Sequence, residues 1–300
     1  MKIAIFGASG FIGRNVVEAL KEAKMDIVAS DIKGMDIEIE GVDFVKVDIL
    51  DYGEVSKVVK GSEVVIHLAA SPLSVSLEKL GMNARINVEG TLNIMDAARE
   101  HSVDKIIFSS ASSLVGEVKY NPVDEEHPCK PKTPYAVAKY ACEHYLRVYR
   151  ELYGLNYLIF RFFNIYSPWQ YPESGGLIPM VYKKLTTEGS FNVFGDGSQT
   201  RDFVYVGDVA EFYLKAIRKD IKNEIVNLGT GKAASIKEIV EIAGEILGIA
   251  PKINYLPPRS GEIDNFVADT KKLKKLFGSA PKTDMHTGLK RTFDWLNTVK

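Results

Sequence analysis

The chain has 300 residues, 46% hydrophobic and 26% charged, with a formal net charge of −1. That length allows one large domain or two small ones, and that balance supports a buried core under a polar surface. The near-zero net charge gives no sign of a polyanion partner such as nucleic acid. The two cysteines, Cys129 and Cys142, form no CxxC pair. They suggest neither a disulfide framework nor a metal site, and a reduced cytoplasmic setting is the default. The opening MKIAIFGASGFIG is broken by three glycines. It is too interrupted for a secretory apolar region, and no membrane-spanning run follows.

In chain order, strand-like KIAIFG leads into a helical segment from about Gly10 to Lys24. DIVASD and VDFVKVDI read as strands, followed by a helix near Tyr52 to Lys60. SEVVIHLAA precedes a helix from about Ala84 to His101, and VDKIIFSS follows it. A long helix, Tyr135–Tyr153, then leads to LNYLIFRFFN. Strands apolar on both faces, separated by helices, predict an α/β fold with a doubly wound parallel sheet covered on both sides. After Asn164 the elements shorten and Gly and Pro become frequent, as in IYSPWQYPESGGLIP and LPPRSGE. This predicts a first domain over 1–164 and a smaller α/β lobe over 165–300. The apolar stretch DFVYVGDVAEFYLKAI, about 203–220, is expected to return to the first sheet.

The first strand–helix junction carries Gly7, Gly10 and Gly13 at GxxGxxG spacing. Such glycines allow a tight turn and a close backbone approach to a pyrophosphate, which then meets the free N–H groups of the helix. The second strand ends in Asp31, 18 residues past Gly13. A carboxylate there accepts from ribose hydroxyls and repels a 2′-phosphate, favouring NAD over NADP. Asp48 closes the third strand, where it can meet the adenine edge.

Tyr135 and Lys139 stand four apart at the start of a helix, so both point to one face. An ammonium beside a phenol favours the phenolate, which suits Tyr135 to general acid–base work. Upstream, FSSASSLVG places four serines around Ala111 just past an apolar run. That is either a plain turn or the wall of an active site.

These motifs come in a set order, joined by HLAA at His67–Ala70, NVEGT at Asn87–Thr91, RFFN at Arg161–Asn164, GDGSQTRDFVYVGDV, NLGTG and PPRSGE. Over nearly its whole length the chain resembles the extended short-chain dehydrogenase/reductases. Within them it is most like the NAD-dependent nucleotide-sugar epimerase/dehydratase family and its branch acting on UDP-glucose and UDP-galactose. The resemblance implies a Rossmann domain for NAD, a C-terminal lobe for a UDP-sugar, and a homodimer built on the helices near 84–101 and 135–153. It implies that Gly7, Gly10, Phe11, Ile12, Gly13, Asp31, Asp48, Ile49, Leu68, Ala69, Ala70, Asn87, Ser109 and Ser110 hold NAD beside Tyr135 and Lys139. It further implies 4-epimerisation through a 4-keto sugar, with Tyr135 as acid/base. Arg201 and Arg259 would clamp the diphosphate, Asn164 would donate to a phosphate, and Glu262 would meet a ribose hydroxyl.

The sibling dehydratases carry an Asp–Glu pair where this chain has Ser112–Ser113, and the decarboxylases a glutamate where Ser113 lies. Their absence leaves epimerisation or simple redox. Two rivals are a small-carbonyl reductase of the same superfamily and a non-catalytic NAD or sugar-nucleotide sensor. Ala111 stands where the family places its hydrogen-bonding serine, and Val115 replaces a tyrosine. Strand alternation favours Ser113 over Ser112 as a substitute, because Ser113 shares the face of Ala111. Phe266 is expected either to gate the hexose or simply to pack in the lobe's core.

Overall fold

The computed structural model describes residues 1–34, 39, 41–258 and 263–299. In chain order its elements are β1 (Lys2–Phe6), α1 (Phe11–Glu22), β2 (Asp26–Asp31), β3 (Asp43–Lys46), α2 (Tyr52–Val59), β4 (Val64–His67), α3 (Leu73–Glu78), α4 (Leu80–Ala84) and α5 (Gly90–Glu100). Then come β5 (Lys105–Ala111), α6 (Pro134–Tyr153), β6 (Asn156–Phe162), β7 (Asn164–Tyr166), α7 (Leu177–Glu188), β8 (Ser190–Phe194), β9 (Thr200–Arg201), β10 (Phe203–Tyr205) and α8 (Val206–Arg218). The chain closes with β11 (Glu224–Leu228), β12 (Ala234–Ser235), α9 (Ile236–Leu247), β13 (Lys252–Leu256), β14 (Asn265–Phe266), α10 (Lys271–Phe277) and α11 (Met285–Thr298).

Seven strands form one sheet in the order β11-β6-β5-β4-β1-β2-β3. From β3 through β6 every neighbouring pair runs parallel. Ile3, Ala4 and Ile5 of β1 are wholly buried, as expected where helices cover both faces. The strand order switches direction between β1 and β4. In such sheets the crevice beyond the carboxyl ends of the strands at that switch is where a ligand enters.

The chain divides into two compact units. The first holds 1–116, 128–162 and 209–226; the second holds 117–127, 163–208 and 227–300. Residues 117–127, which a linear reading leaves in the first domain, belong to the second. There Val123 N–H donates to Val267 O at 2.8 Å and Asn227 Nδ2 to Val123 O at 2.9 Å. The returning segment is also shifted. Phe203–Tyr205 pairs with Asn164–Tyr166 in a separate two-stranded sheet, and it is 209–226, ending in β11, that joins the first unit. Apolar residues on both faces mark a buried strand but not its partner.

The helix expected over Ala84–His101 begins earlier, at Leu80, and is interrupted by a π-helical turn over Arg85–Glu89. Inside that turn Asn87 O accepts from Thr91 Oγ1 at 2.7 Å and Cys142 Sγ at 3.0 Å. Such turns cluster at functional sites. Among the described residues no helix is long and apolar enough to cross a membrane.

Candidate active site

The junction after β1 is built on two glycines that no other residue could replace in place. A Cβ on Gly7 would lie 2.4 Å from Ala69 N, and its φ is +88°. A Cβ on Gly13 would lie 2.1 Å from Gly7 O. Gly10 is different: its φ is −68°, and the nearest atom to its Cβ would be 3.4 Å away. Internal packing therefore does not demand a glycine there; the close approach of a ligand would. No side chain caps α1 at Gly10, so the N–H groups of Phe11, Ile12 and Gly13 lack intrahelical acceptors.

A cleft of about 690 Å³ opens at this junction, lined by Gly7, Gly10, Asp31, Asp48, Ile49, Leu68, Ala69 and Ala70 among others. The Asp31 carboxylate accepts from Ser9 N–H at 3.0 Å and Lys33 N–H at 3.1 Å. Asp48 accepts from Leu50 N–H at 2.9 Å. The cleft, the uncapped helix start and the acidic strand end fit an NAD molecule. Phe11, Ile12 and Gly13 are not in the cleft wall. Nor is Asn87, which is 2% exposed. Both ends of its amide are used by Ser71, accepting from Ser71 N–H at 2.7 Å and donating to Ser71 O at 3.1 Å. Asn87 thus holds the loop after β4 rather than presenting its amide to the cleft. Ser9, Lys33, Ser71 and Arg85 also line the cleft and escaped the sequence reading, since polar residues in loops carry no periodic signal.

In the same unit α6 begins after Thr133, whose hydroxyl accepts from Ala136 N–H at 3.2 Å, with Pro134 in the first turn; Tyr135, Lys139, Ser109 and Ser110 are not in the cleft wall. Tyr135 therefore sits at the positive end of a 20-residue helix, which favours a phenolate. One turn on, Lys139 is buried and donates to Ser109 O at 2.8 Å. Its ammonium lies 4.6 Å from the Phe108 ring centroid and 5.9 Å from that of Tyr135. Desolvation pushes the Tyr135 phenol up to about 12 and the Lys139 ammonium down to about 8; Cys142 and Glu143 pull the latter partly back. His67 is buried and bonded through Nε2 to Thr91 Oγ1 at 2.9 Å. Burial, with the nearby Lys139 charge, holds it well below the ordinary imidazole range.

Within FSSASSLVG, Ser109 Oγ donates to His67 O at 2.7 Å. Ser110 Oγ is buried without a partner among the described residues. Strand β5 stops at Ala111, and Ser112–Val115 form a 3-10 turn. The alternation expected to carry Ser113 onto the face of Ala111 does not extend that far, because a 3-10 turn advances side chains by a third of a turn. Ser112 is buried and Ser113 exposed. Gly116 closes the turn at φ +66°, where a Cβ would strike Lys130 O at 1.9 Å.

The second unit has its own cleft of about 460 Å³, lined by Asn164, Gln170, Gly176, Arg201 and Phe203 among others. Asn164 Nδ2 donates to Asp202 O at 3.2 Å. Arg201 Nη1 donates to the main-chain oxygens of Thr200 and Ile263 at 2.8 and 2.7 Å. The neighbouring Asp202 is fully buried and takes bonds from Thr230, Gly231 and Ala268. Gln170, which the sequence reading passed over, is 8% exposed, and its Oε1 has no partner among the described residues. Phe266 follows the core-packing alternative. It is 7% exposed, stacks on Phe163 with centroids 5.0 Å apart, and does not line the cleft. Arg259 and Glu262 lie outside the described residues.

The chain matches the NAD dependent epimerase/dehydratase family over residues 3–229. It is 40% identical to a putative UDP-glucose 4-epimerase of Methanocaldococcus jannaschii across 98% of both chains. It is 31% identical to a UDP-glucuronate 4-epimerase of Thermodesulfobacterium geofontis across 97% of this chain and 94% of that one. Among solved structures it is similar to a UDP-glucose 4-epimerase of Thermotoga maritima with UDP-glucose, at TM-score 0.93, 31% identity and coverage of 100% and 99%. A UDP-N-acetylglucosamine 4-epimerase of Methanobrevibacter ruminantium gives TM-score 0.92, 28% identity and the same coverage. The Thermus thermophilus UDP-glucose 4-epimerase complex with NAD gives TM-score 0.90, 31% identity and full coverage of both chains.

Proposed function

The chain belongs to the NAD-dependent epimerase/dehydratase family, and we propose that it interconverts UDP-glucose and UDP-galactose by 4-epimerisation, with Tyr135 as acid/base. Its cofactor is NAD, and its activity is of the UDP-sugar epimerase type. The glycine loop and Asp31 would hold NAD, which would supply a reversible hydride acceptor for C4 of the sugar.

The observation that carries the reading is the Lys139–Ser109 hydrogen bond, one helical turn from Tyr135. It holds the Lys139 ammonium 5.9 Å from the Tyr135 ring centroid, and on this reading that charge favours the phenolate. Tyr135 takes the 4-hydroxyl proton as the ketone forms and gives it back after the sugar has turned. With the phenol near 12 and the ammonium near 8, the first proton to leave the pair comes from Lys139. The form with phenolate and ammonium has that same proton count, so it is reached by moving a proton within the pair. The N-terminal end of α6 favours the phenolate by about 0.3–1 kcal/mol, and the positive charge of a bound oxidised nicotinamide would favour it further. Asn164 and Arg201 hold the diphosphate, Arg201 as a planar fork.

The protein acts in the cytoplasm as a homodimer. Supporting the dimer, Val137, Tyr145, Val148 and Leu152 of α6 are 53%, 41%, 43% and 66% exposed on one side of that helix, an apolar stripe suited to a second copy. Incubation with UDP-galactose tests the function. Conversion to UDP-glucose without net NADH, abolished in Tyr135→Phe with NAD still bound, supports it. Normal turnover by Tyr135→Phe refutes the role of the phenol.

A further inference from the structure

Glu143 lies one turn beyond Lys139 and two beyond Tyr135, so the three share one face of α6. Its carboxylate receives Arg161 of β6 through two bonds, Nε to Oε1 at 3.0 Å and Nη2 to Oε2 at 2.8 Å. The two side chains are 1% and 4% exposed. In the sheet register Arg161 stands opposite Ser110, next to Ser109, whose oxygen holds Lys139. The helix face is therefore pinned at two successive turns to two adjacent strands. A bidentate fork fixes angle as well as distance. It adds an angular restraint to the bonds of Lys139, Cys142 and Tyr149 that also tether α6.

We propose that the Glu143–Arg161 pair is a positioning device for the Tyr135–Lys139 couple, setting the roll of α6 and supplying the anion that keeps Lys139 charged. The inference rests on the acid/base reading of that couple. The groups facing Lys139 are few. Tyr135, Cys142 and Glu143 face it from α6, Ser109 O and the Phe108 ring from β5, and His67 from β4. Of the groups that pull the Lys139 pKa back up, Cys142 acts more strongly than Glu143 when ionised, but burial pushes the Cys142 thiol up so that it stays protonated at neutral pH. Among the described residues that leaves the Glu143 carboxylate as the anion, and burial keeps His67 neutral. Arg161 also interacts with Cys129, whose thiol is pushed up by burial. That contact adds no second anion, because a thiol with a raised pKa stays protonated at neutral pH.

The test uses Glu143→Gln and the double variant Glu143→Gln/Arg161→Met, which removes both charges while keeping the volume. The single variant strands a buried cation, which is strongly destabilising; the double variant guards against loss of fold. Two measurements are made on each: epimerisation kinetics of the NAD-loaded protein across pH, and an NMR titration of Lys139 in the NAD-free protein. Both variants should lower kcat by about tenfold, with KM for the sugar nucleotide nearly unchanged, the pattern of a lost transition-state interaction. Removing the anion should move the Lys139 midpoint measurably down, further in the single variant than in the double. A double variant that folds and keeps the wild-type Lys139 midpoint overturns the proposal. The NMR arm decides this even if the wild type epimerises no UDP-hexose, an outcome that would refute the functional reading instead.

Discussion

The Lys139 ammonium is hydrogen-bonded at 2.8 Å to the main-chain oxygen of Ser109 while buried at 3% exposure. The charge has one strong acceptor and a low-dielectric surround, so folding holds its pKa near 8 rather than 10.5. The sign of the stability effect follows. Below about pH 8 both native and unfolded chains carry the proton, and the native state bears the full desolvation cost, on the order of 3 kcal/mol. Between about 8 and 10.5 the unfolded chain binds more protons, so wild-type stability gains on that of a neutral variant; above that range the penalty is gone. Urea unfolding of wild type and Lys139→Met at several pH values should show their difference drifting by this amount in the wild type's favour. A pH-independent difference would contradict it.

The two glycines of the first loop should separate folding from binding. Gly13→Ala puts a methyl group 2.1 Å from a main-chain oxygen and is expected to destabilise by about 1–3 kcal/mol or more. Gly10→Ala meets its first atom only at 3.4 Å, so its melting temperature should stay near wild type. Its NAD affinity should fall at least about tenfold if, as proposed, the pyrophosphate packs against Gly10 and the methyl would take its space. Calorimetry with thermal melts checks both; unchanged NAD binding in Gly10→Ala would remove the cleft from the cofactor site.

Asp31 should set cofactor choice. Replacing it with Ala is expected to weaken NAD binding by about 1–3 kcal/mol, the scale of charge-assisted hydrogen bonds. NADP should be affected less, since the carboxylate repels its 2′-phosphate. Titrations of the NAD-free protein with each dinucleotide measure the ratio. Equal losses for both would show that Asp31 only braces Ser9 and Lys33.

The serines after Ala111 should divide by exposure. Ser113 is exposed, whereas Ser112 is buried in the turn. Ser113→Ala is expected to lower kcat about tenfold, the worth of one transition-state hydrogen bond. Ser112→Ala should change stability more than rate. Normal turnover by Ser113→Ala would mean that Tyr135 works without a serine from this stretch.

Much of this protein could be read from its residues because the rules involved are local. Glycine spacing after an apolar strand, an acid at the next strand end, and Tyr135 and Lys139 one turn apart are periodic facts of a helix or a strand. They yield the parallel sheet, a glycine loop suited to NAD and a helix bearing the proposed Tyr135–Lys139 pair before any contact is known. What only the tertiary structure decided involves residues far apart in the chain. Nothing local says that β5 stops at Ala111, that the Asn87 amide is spent on Ser71, or that Phe266 stacks on Phe163. Likewise no pattern pairs Glu143 with Arg161, 18 positions apart on a helix and a strand. A side chain's period tells which way it points, but its partner is chosen by the packing of the whole unit, where each buried polar atom must find whatever complementary group the fold brings to it.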